Sequence, residues 1–167
     1  MGIENKRPKL HIPMSKAEII LEIISVIAFI LTWVYIIIFW SKMPSIIPTR
    51  FGSGQATAYG SKNTLFIIPI IATIMFMLFN ILARFPHVFN YRVKITAENA
   101  ERQYRNGRLI IEILGMEMSI LFLYIDYVLI EVALKRFSNL GIQLLPVFIL
   151  VLVVTVLYFS SRMKKLK

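Results

Sequence analysis

Apolar residues fall along this chain in four long blocks, separated by polar and mostly basic stretches. The first block runs from Ile19 to Trp40 and carries no charge after Glu22. The second, Leu65 to Ala83, carries none. The third, Leu109 to Leu134, carries Glu112, Glu117, Asp126 and Glu131. The fourth, Leu144 to Phe159, again has none and is the shortest. A helix needs about 20 consecutive apolar residues to cross the hydrocarbon of a bilayer. Each block therefore predicts one membrane helix, the fourth borrowing residues from its flanks. The expected fold is an all-α membrane protein: a bundle of four transmembrane helices with an ordered extracellular loop between helices 1 and 2. The expected organisation is an arm over residues 1–18, a membrane domain over 19–160 with spans 19–40, 65–83, 109–134 and 144–159, and a tail over 161–167. The first block is too long for a signal-peptide core, and no small-x-small cleavage site follows it.

Composition agrees. Hydrophobic residues make up 57% of the 167, more than a soluble domain of this size can hide. The absence of cysteine removes disulfide and thiol chemistry. A net charge of +10 raises the question of nucleic acid, but the basic residues lie between the apolar blocks and at the chain ends, where membrane topology places them. Lys6, Arg7, Lys9 and Lys16 lie in the arm, Arg84, Arg92, Lys94, Arg102, Arg105 and Arg108 in the second loop, and Arg162, Lys164, Lys165 and Lys167 in the tail. That is 14 on one side, against 5 on the other: Lys42, Arg50, Lys62, Lys135 and Arg136. The bias predicts a multi-pass protein of the cell membrane with both termini cytoplasmic, its basic segments resting on anionic lipid headgroups. Trp33, Trp40, Tyr59, Tyr104 and Tyr158 lie near the expected helix ends, where amphipathic rings favour the interface.

The first loop, Ser41 to Asn63, is rich in Gly, Pro and Ser, which predicts an irregular path. Met43, Ile46, Ile47 and Phe51 can tuck it against the helix ends. It reads either as a packed connector or as a recognition surface, since binding often resides on loops held by a rigid scaffold. The recognition candidates are Pro44, Pro48, Arg50, Phe51, Gly54, Gln55, Tyr59, Gly60 and Lys62. In the second loop, Thr96 and Asn99 make half of a capping box for a helix running through Tyr104 toward the third span, with Gly107 as a point of interruption.

The acids of the third block form a second candidate site. A charged carboxylate near the bilayer centre costs about 2.5–3.5 kcal/mol on insertion scales. Glu112 and Glu131 lie near the helix ends; Glu117 and Asp126 lie deeper. They are either satisfied by hydrogen bonds from neighbouring helices or line a polar cavity or an ion path. Asn80, Tyr35, Thr73, Thr155 and Arg108 are the candidate partners. Glu18 and Glu22 are accounted for by the favourable placement of acids at a helix N-terminus, the alternative being a bundle-stabilising contact with the second loop.

The first loop, with its Met43-Pro44, Ile47-Pro48, Phe51, Gly54, Gln55 and Gly60-Ser61-Lys62, resembles the bacterial membrane family of unknown function numbered 1648. Arg50 stands where that family often has His, and Ala56-Thr57 where it often has Pro-Asp. The second loop resembles it too, through a cytoplasmic motif of His87, Asn90, Thr96, Glu98, Asn99 and Tyr104. The family is related to the immunity proteins against a sporulation-delaying toxin, which carry extra helices, protect the membrane of the producing cell and signal to a repressor. The resemblance implies a protective or sensing role, with a peptide toxin or a membrane or regulatory protein as partner.

No His-Glu-x-x-His, phosphate-binding glycine loop or Gly-x-Ser-x-Gly occurs. No base pairs with a nucleophile, so the expectation is a non-enzymatic protein without metal or cofactor, acting on no nucleic acid. Its partners are then the lipid bilayer and the protein or peptide it recognises. The competing expectation is a small transport or ion-coupling component that uses the acids of the third helix.

Overall fold

The structure, a computed structural model, describes residues 7–52, 55–138, 141 and 144–166. Four helices carry it: α1 (Lys16–Phe39), α2 (Ile67–Ala83), α3 (Ala100–Ala133) and α4 (Leu144–Lys165). Each, with its adjoining turn where one is present, is long and apolar enough to cross a membrane, the signature of a multi-pass membrane protein. Most of their large apolar side chains face outward, as suits a lipid surround: Ile20, Ile37, Ile74, Leu150 and Leu157 are exposed.

The helix bounds follow the apolar blocks with two extensions. Helix α3 begins nine residues ahead of the expected span and continues through Gly107 without a break. Gly107 is there for clearance: a Cβ at this position would lie 2.5 Å from the Tyr91 hydroxyl and 3.0 Å from the Phe89 ring. Helix α4 extends its span at the C-terminal end, into the basic tail. The Thr96–Asn99 box does form. Thr96 N donates to Asn99 Oδ1 at 2.9 Å and Asn99 N to Thr96 Oγ1 at 3.3 Å, one turn ahead of α3.

The largest departure from expectation is the first loop. It is a β-hairpin of β1 (Ile46–Gly52) and β2 (Gln55–Ser61), not an irregular path. The β-branched Ile46, Ile47, Thr49 and Thr57 favour extended backbone. Pro48 is tolerated because a two-stranded sheet consists of edges, and the register slips on either side of Arg50 absorb the misfit. Ile47 is 1% exposed and packs with Ile36, Met43, Leu65, Ile130 and Ala133. Lys62 closes the base of the hairpin: its ammonium donates to the carbonyls of Trp40 and Met43 at 2.9 and 3.4 Å and lies 4.5 Å from the centre of the Trp40 ring.

Helices α1 and α3 run parallel, as their cross-links show: Glu18 with Arg108, Ser25 with Ser119, Tyr35 with Glu131. Arg108 is the anchor of the end that holds the termini. Its guanidinium donates to Glu18 Oε1 at 2.6 Å and Oε2 at 3.0 Å, and to the carbonyls of Ile12 and Pro13 at 2.7 and 2.9 Å. The same Glu18 completes a capping box with Ser15 at the start of α1. Nearby, Arg7 donates to the carbonyls of His87 and Phe89, which binds the arm to the α2–α3 loop. Buried Tyr91 donates to the Pro86 carbonyl at 2.8 Å, and burial pushes its phenol well above the ordinary tyrosine range. Gln103 bonds the carbonyls of Met163 and Leu166 and so holds the end of α4.

Two stability predictions follow from this end of the bundle. Arg108→Ala strands the Glu18 carboxylate and costs about 3–5 kcal/mol, read as a lowered thermal midpoint in detergent; Glu18→Gln with Arg108→Met recovers much of it. Gly107→Val clashes with Tyr91 and also lowers the midpoint, and Tyr91→Phe in the same chain restores part of the loss.

Candidate functional site

Two regions hold the sequence-derived candidates, and they differ in how far their residues come together. On the hairpin, Ile46 and Tyr59 are about two-thirds exposed, at 67% and 66%. Pro48 pairs with Tyr59 across the ladder and Ile46 with Ser61, which puts these four on the face turned away from Ile47. Arg50 and Pro44 are exposed, Pro48 and Phe51 half-buried. Gly60 is closely approached, since a Cβ there would lie 3.0 Å from the methyl of exposed Thr49. Lys62 is turned inward onto backbone carbonyls, so it holds the hairpin rather than offering a free charge. Gly54 and the side chain of Gln55 lie outside the described residues.

The motif of the second loop does not converge on one point. Asn90, Thr96 and Glu98 are exposed. Asn99 is engaged with Thr96 and with the Lys94 carbonyl. His87 lies edge-on to Phe85. Tyr104 is fully buried among Ile12, Tyr91, Ile95 and Ala100. These residues fold the loop and seat the arm.

The acids of α3 separate into distinct roles. Glu131 accepts from the Tyr35 hydroxyl and from Arg136 at 3.1 Å, tying α3 to α1 and to the chain beyond α3. Glu117 accepts from Thr155 on α4 at 2.7 Å, while its second oxygen is buried without a partner. Glu112 lies half-buried within electrostatic reach of Glu22, Glu18 and Arg108. Asp126 stands apart: it is 0% exposed and neither carboxyl oxygen has a hydrogen-bond partner. Of the expected partners, Tyr35 and Thr155 serve Glu131 and Glu117, and Arg108 serves Glu18. Thr73 takes the Trp33 indole, and Asn80 bonds its own helix at Phe76.

At about 100° per residue, Arg108, Gly115, Ser119, Asp126, Ile130 and Ala133 fall within about 40° of one line along α3. Helix α1 meets this line at Arg108 and Ser119, and α2 meets it at Gly115, while the third α1 link, at Glu131, lies about 140° away. Ser25 and Ser119 share a hydrogen bond at 3.1 Å. The offset of 94 between those two numbers, carried up the parallel pair, brings fully buried Thr32 level with Asp126. A cleft of about 480 Å³, lined by Tyr124, Tyr127, Val128, Arg136 and Phe137, opens near this height. Tyr124 and Val128 lie about 160° around the helix from Asp126, so the cleft is on the other face. The contact open to Glu18 with the second loop is made, and Arg108 is its partner; the Ser25–Ser119 link has no signal in the sequence.

Comparison with known proteins finds one family segment. Residues 27–73, from the middle of α1 through the hairpin into α2, match the model of a domain of unknown function, DUF1648. An uncharacterized protein of the archaeon Archaeoglobus fulgidus is 32% identical over 76 residues, a match spanning 40% of this chain and 42% of the relative. No solved structure matches the chain.

Proposed function

We propose that this protein is a non-enzymatic, multi-pass protein of the bacterial cell membrane that recognises a membrane-active peptide through the β-hairpin. The observation that carries the reading is the contrast within the hairpin. Its inner residue Ile47 and its base at Lys62 are fixed to the bundle, while Ile46, Arg50 and Tyr59 are left outward. A rigid platform bearing an aromatic ring, an aliphatic side chain and a cation suits an apolar peptide of neutral or acidic charge, because Lys42, Lys135 and Arg136 add further positive charge at the same end. The charge bias of the loops supports a hairpin outside and termini inside. By analogy with the immunity proteins, recognition serves protection or sensing. A second reading, a small ion-coupling component, is favoured by the unpartnered Asp126.

Because the chain lacks cysteine, its orientation can be read directly. A cysteine at Thr57 is labelled in whole cells by an impermeant maleimide, and one at Lys164 only after lysis; the reverse pattern overturns the orientation. For recognition, cells expressing the chain should survive some members of a panel of membrane-active peptides better than cells lacking it. Tyr59→Ala with Arg50→Ala should remove that advantage at unchanged protein levels. Equal sensitivity of expressing and deleted cells across the panel rules the role out.

A further inference from the structure

We infer that Asp126 is an intramembrane proton-binding site at the blind end of a polar seam between α1 and α3, sealed from the hairpin end by an apolar plug that the hairpin itself completes. The seam starts at the terminal end with Glu18 and Arg108. It continues past Glu22 and Glu112, which act on each other electrostatically, and past the Ser25–Ser119 pair, to Thr32 and Asp126. Above Asp126 on the same line of α3 come Ile130 and Ala133. They pack with Ile36 of α1, Leu65 at the approach to α2, Met43, and Ile47 from β1. On this line of α3 polar groups thus lead to the acid from the terminal end and apolar side chains shut the other; the Tyr35–Glu131 bond near the hairpin lies about 140° around α3 from Asp126.

The chemistry of the site selects a proton. An ionised carboxylate in a buried, apolar setting needs donors or a cation, and Asp126 has neither. A resident metal ion needs several oxygen ligands at once. Among the described residues no group of three or more His, Cys, Asp or Glu side chains converges to hold a metal ion, and no charged group acts on Asp126. The carboxyl is made neutral by forming one O–H bond, with the proton taken from water at the terminal end and returned there when the bond breaks. The charged and titratable groups of the neighbouring elements are Lys16, Glu18, Glu22 and Tyr35 on α1, and on α3 the groups of its first turns with Arg108, then Glu112, Glu117, Tyr124, Tyr127 and Glu131. Helix α2 carries none, and α4 contributes Tyr158 and the basic residues of its last turn. Glu131 is held by Tyr35 and Arg136, and no charged group faces Asp126 closely enough to offset its burial. Loss of the proton therefore puts an uncompensated charge into the α1–α3 contact, and separation of the two helices is the relief available.

This inference deepens the second reading and adds a link to the first, since displacement of the hairpin withdraws Ile47 from the plug. The test is infrared difference spectroscopy of the full chain in lipid nanodiscs across a pH step. The wild type should show the C=O stretch of a protonated carboxyl that titrates. Asp126→Asn should lose that band, Asp126→Glu should move it, and Glu117→Gln should leave it in place. A band that persists in Asp126→Asn, or that Asp126→Glu does not move should the Asn variant fail to fold, overturns the assignment. For the plug, Ile47→Ala should speed the deuterium shift of the same band by about tenfold or more, because the cavity it leaves makes opening easier. An exchange rate equal to wild type overturns the seal. A hairpin that binds no peptide leaves all these spectra as expected, so recognition and the proton site fail separately.

Discussion

The parallel contact of α1 with α3 is the constraint on which the rest of the molecule depends. Between two membrane helices there is little hydrophobic driving force, because lipid tails are as apolar as leucine. Shape and polar links must decide which faces meet. Here the links come at three heights: an ion pair at the terminal end, paired hydroxyls in the middle, and a tyrosine–carboxylate bond near the hairpin. Each fixes the rotation of both helices, and together they fix the register. Helix α2 then packs mainly by fit, with Phe79 against Gly115 and Phe76 stacked on Phe29 at 4.6 Å, and one polar link to α1 from the Trp33 indole to Thr73. Helix α4 is the least held: it meets α3 through Thr155 and is fastened at its end by Gln103.

The ion pair at the terminal end carries more than its own attraction. Arg108 uses its planar fork twice, once on the Glu18 carboxylate and once on two carbonyls of the arm. The four donated bonds leave the buried guanidinium well satisfied, which is the condition under which such a charge is tolerable. The consequence is structural. The arm ahead of α1 is drawn across α3, where Ile12 joins Tyr91, Ile95, Ala100 and Tyr104 in a small core. From Arg7 onward, the arm that composition marks as basic is part of the packing.

The number and placement of the helices were legible because lipid imposes one simple rule: a spanning segment must be long, apolar and internally hydrogen-bonded. Ile19 to Trp40 could not be much else. The hairpin was not legible, because its cue was contradictory. Two prolines and several glycines mark a turn-rich loop, while Ile46, Ile47, Thr49 and Thr57 mark strands; pairing with bulges reconciles them, and pairing is a long-range fact. The roles of the acids were legible only as a question. Composition shows that four carboxylates lie in α3, but the partner of each depends on which neighbouring helix it faces. A stripe drawn around one helix carries no such information: Glu117 and Glu131 share a stripe and bond different helices.

An isolated two-stranded hairpin is marginally stable in water, so this one exists by virtue of its supports. Ile47 contributes about 1.5–3 kcal/mol by burial, and Lys62 holds two carbonyls that would otherwise lack a donor. Both supports attach the hairpin to the ends of α1 and α2, and through Ile130 to α3. The hairpin therefore cannot move as an independent flap. Any force on its outer face must either be borne rigidly or be spent in drawing Ile47 out from among Ile36, Met43, Leu65 and Ile130. Of these, Ile130 lies one turn beyond Asp126 on α3. The exposed surface and the buried acid are in this way linked by a single packed cluster, and what disturbs one changes the surroundings of the other.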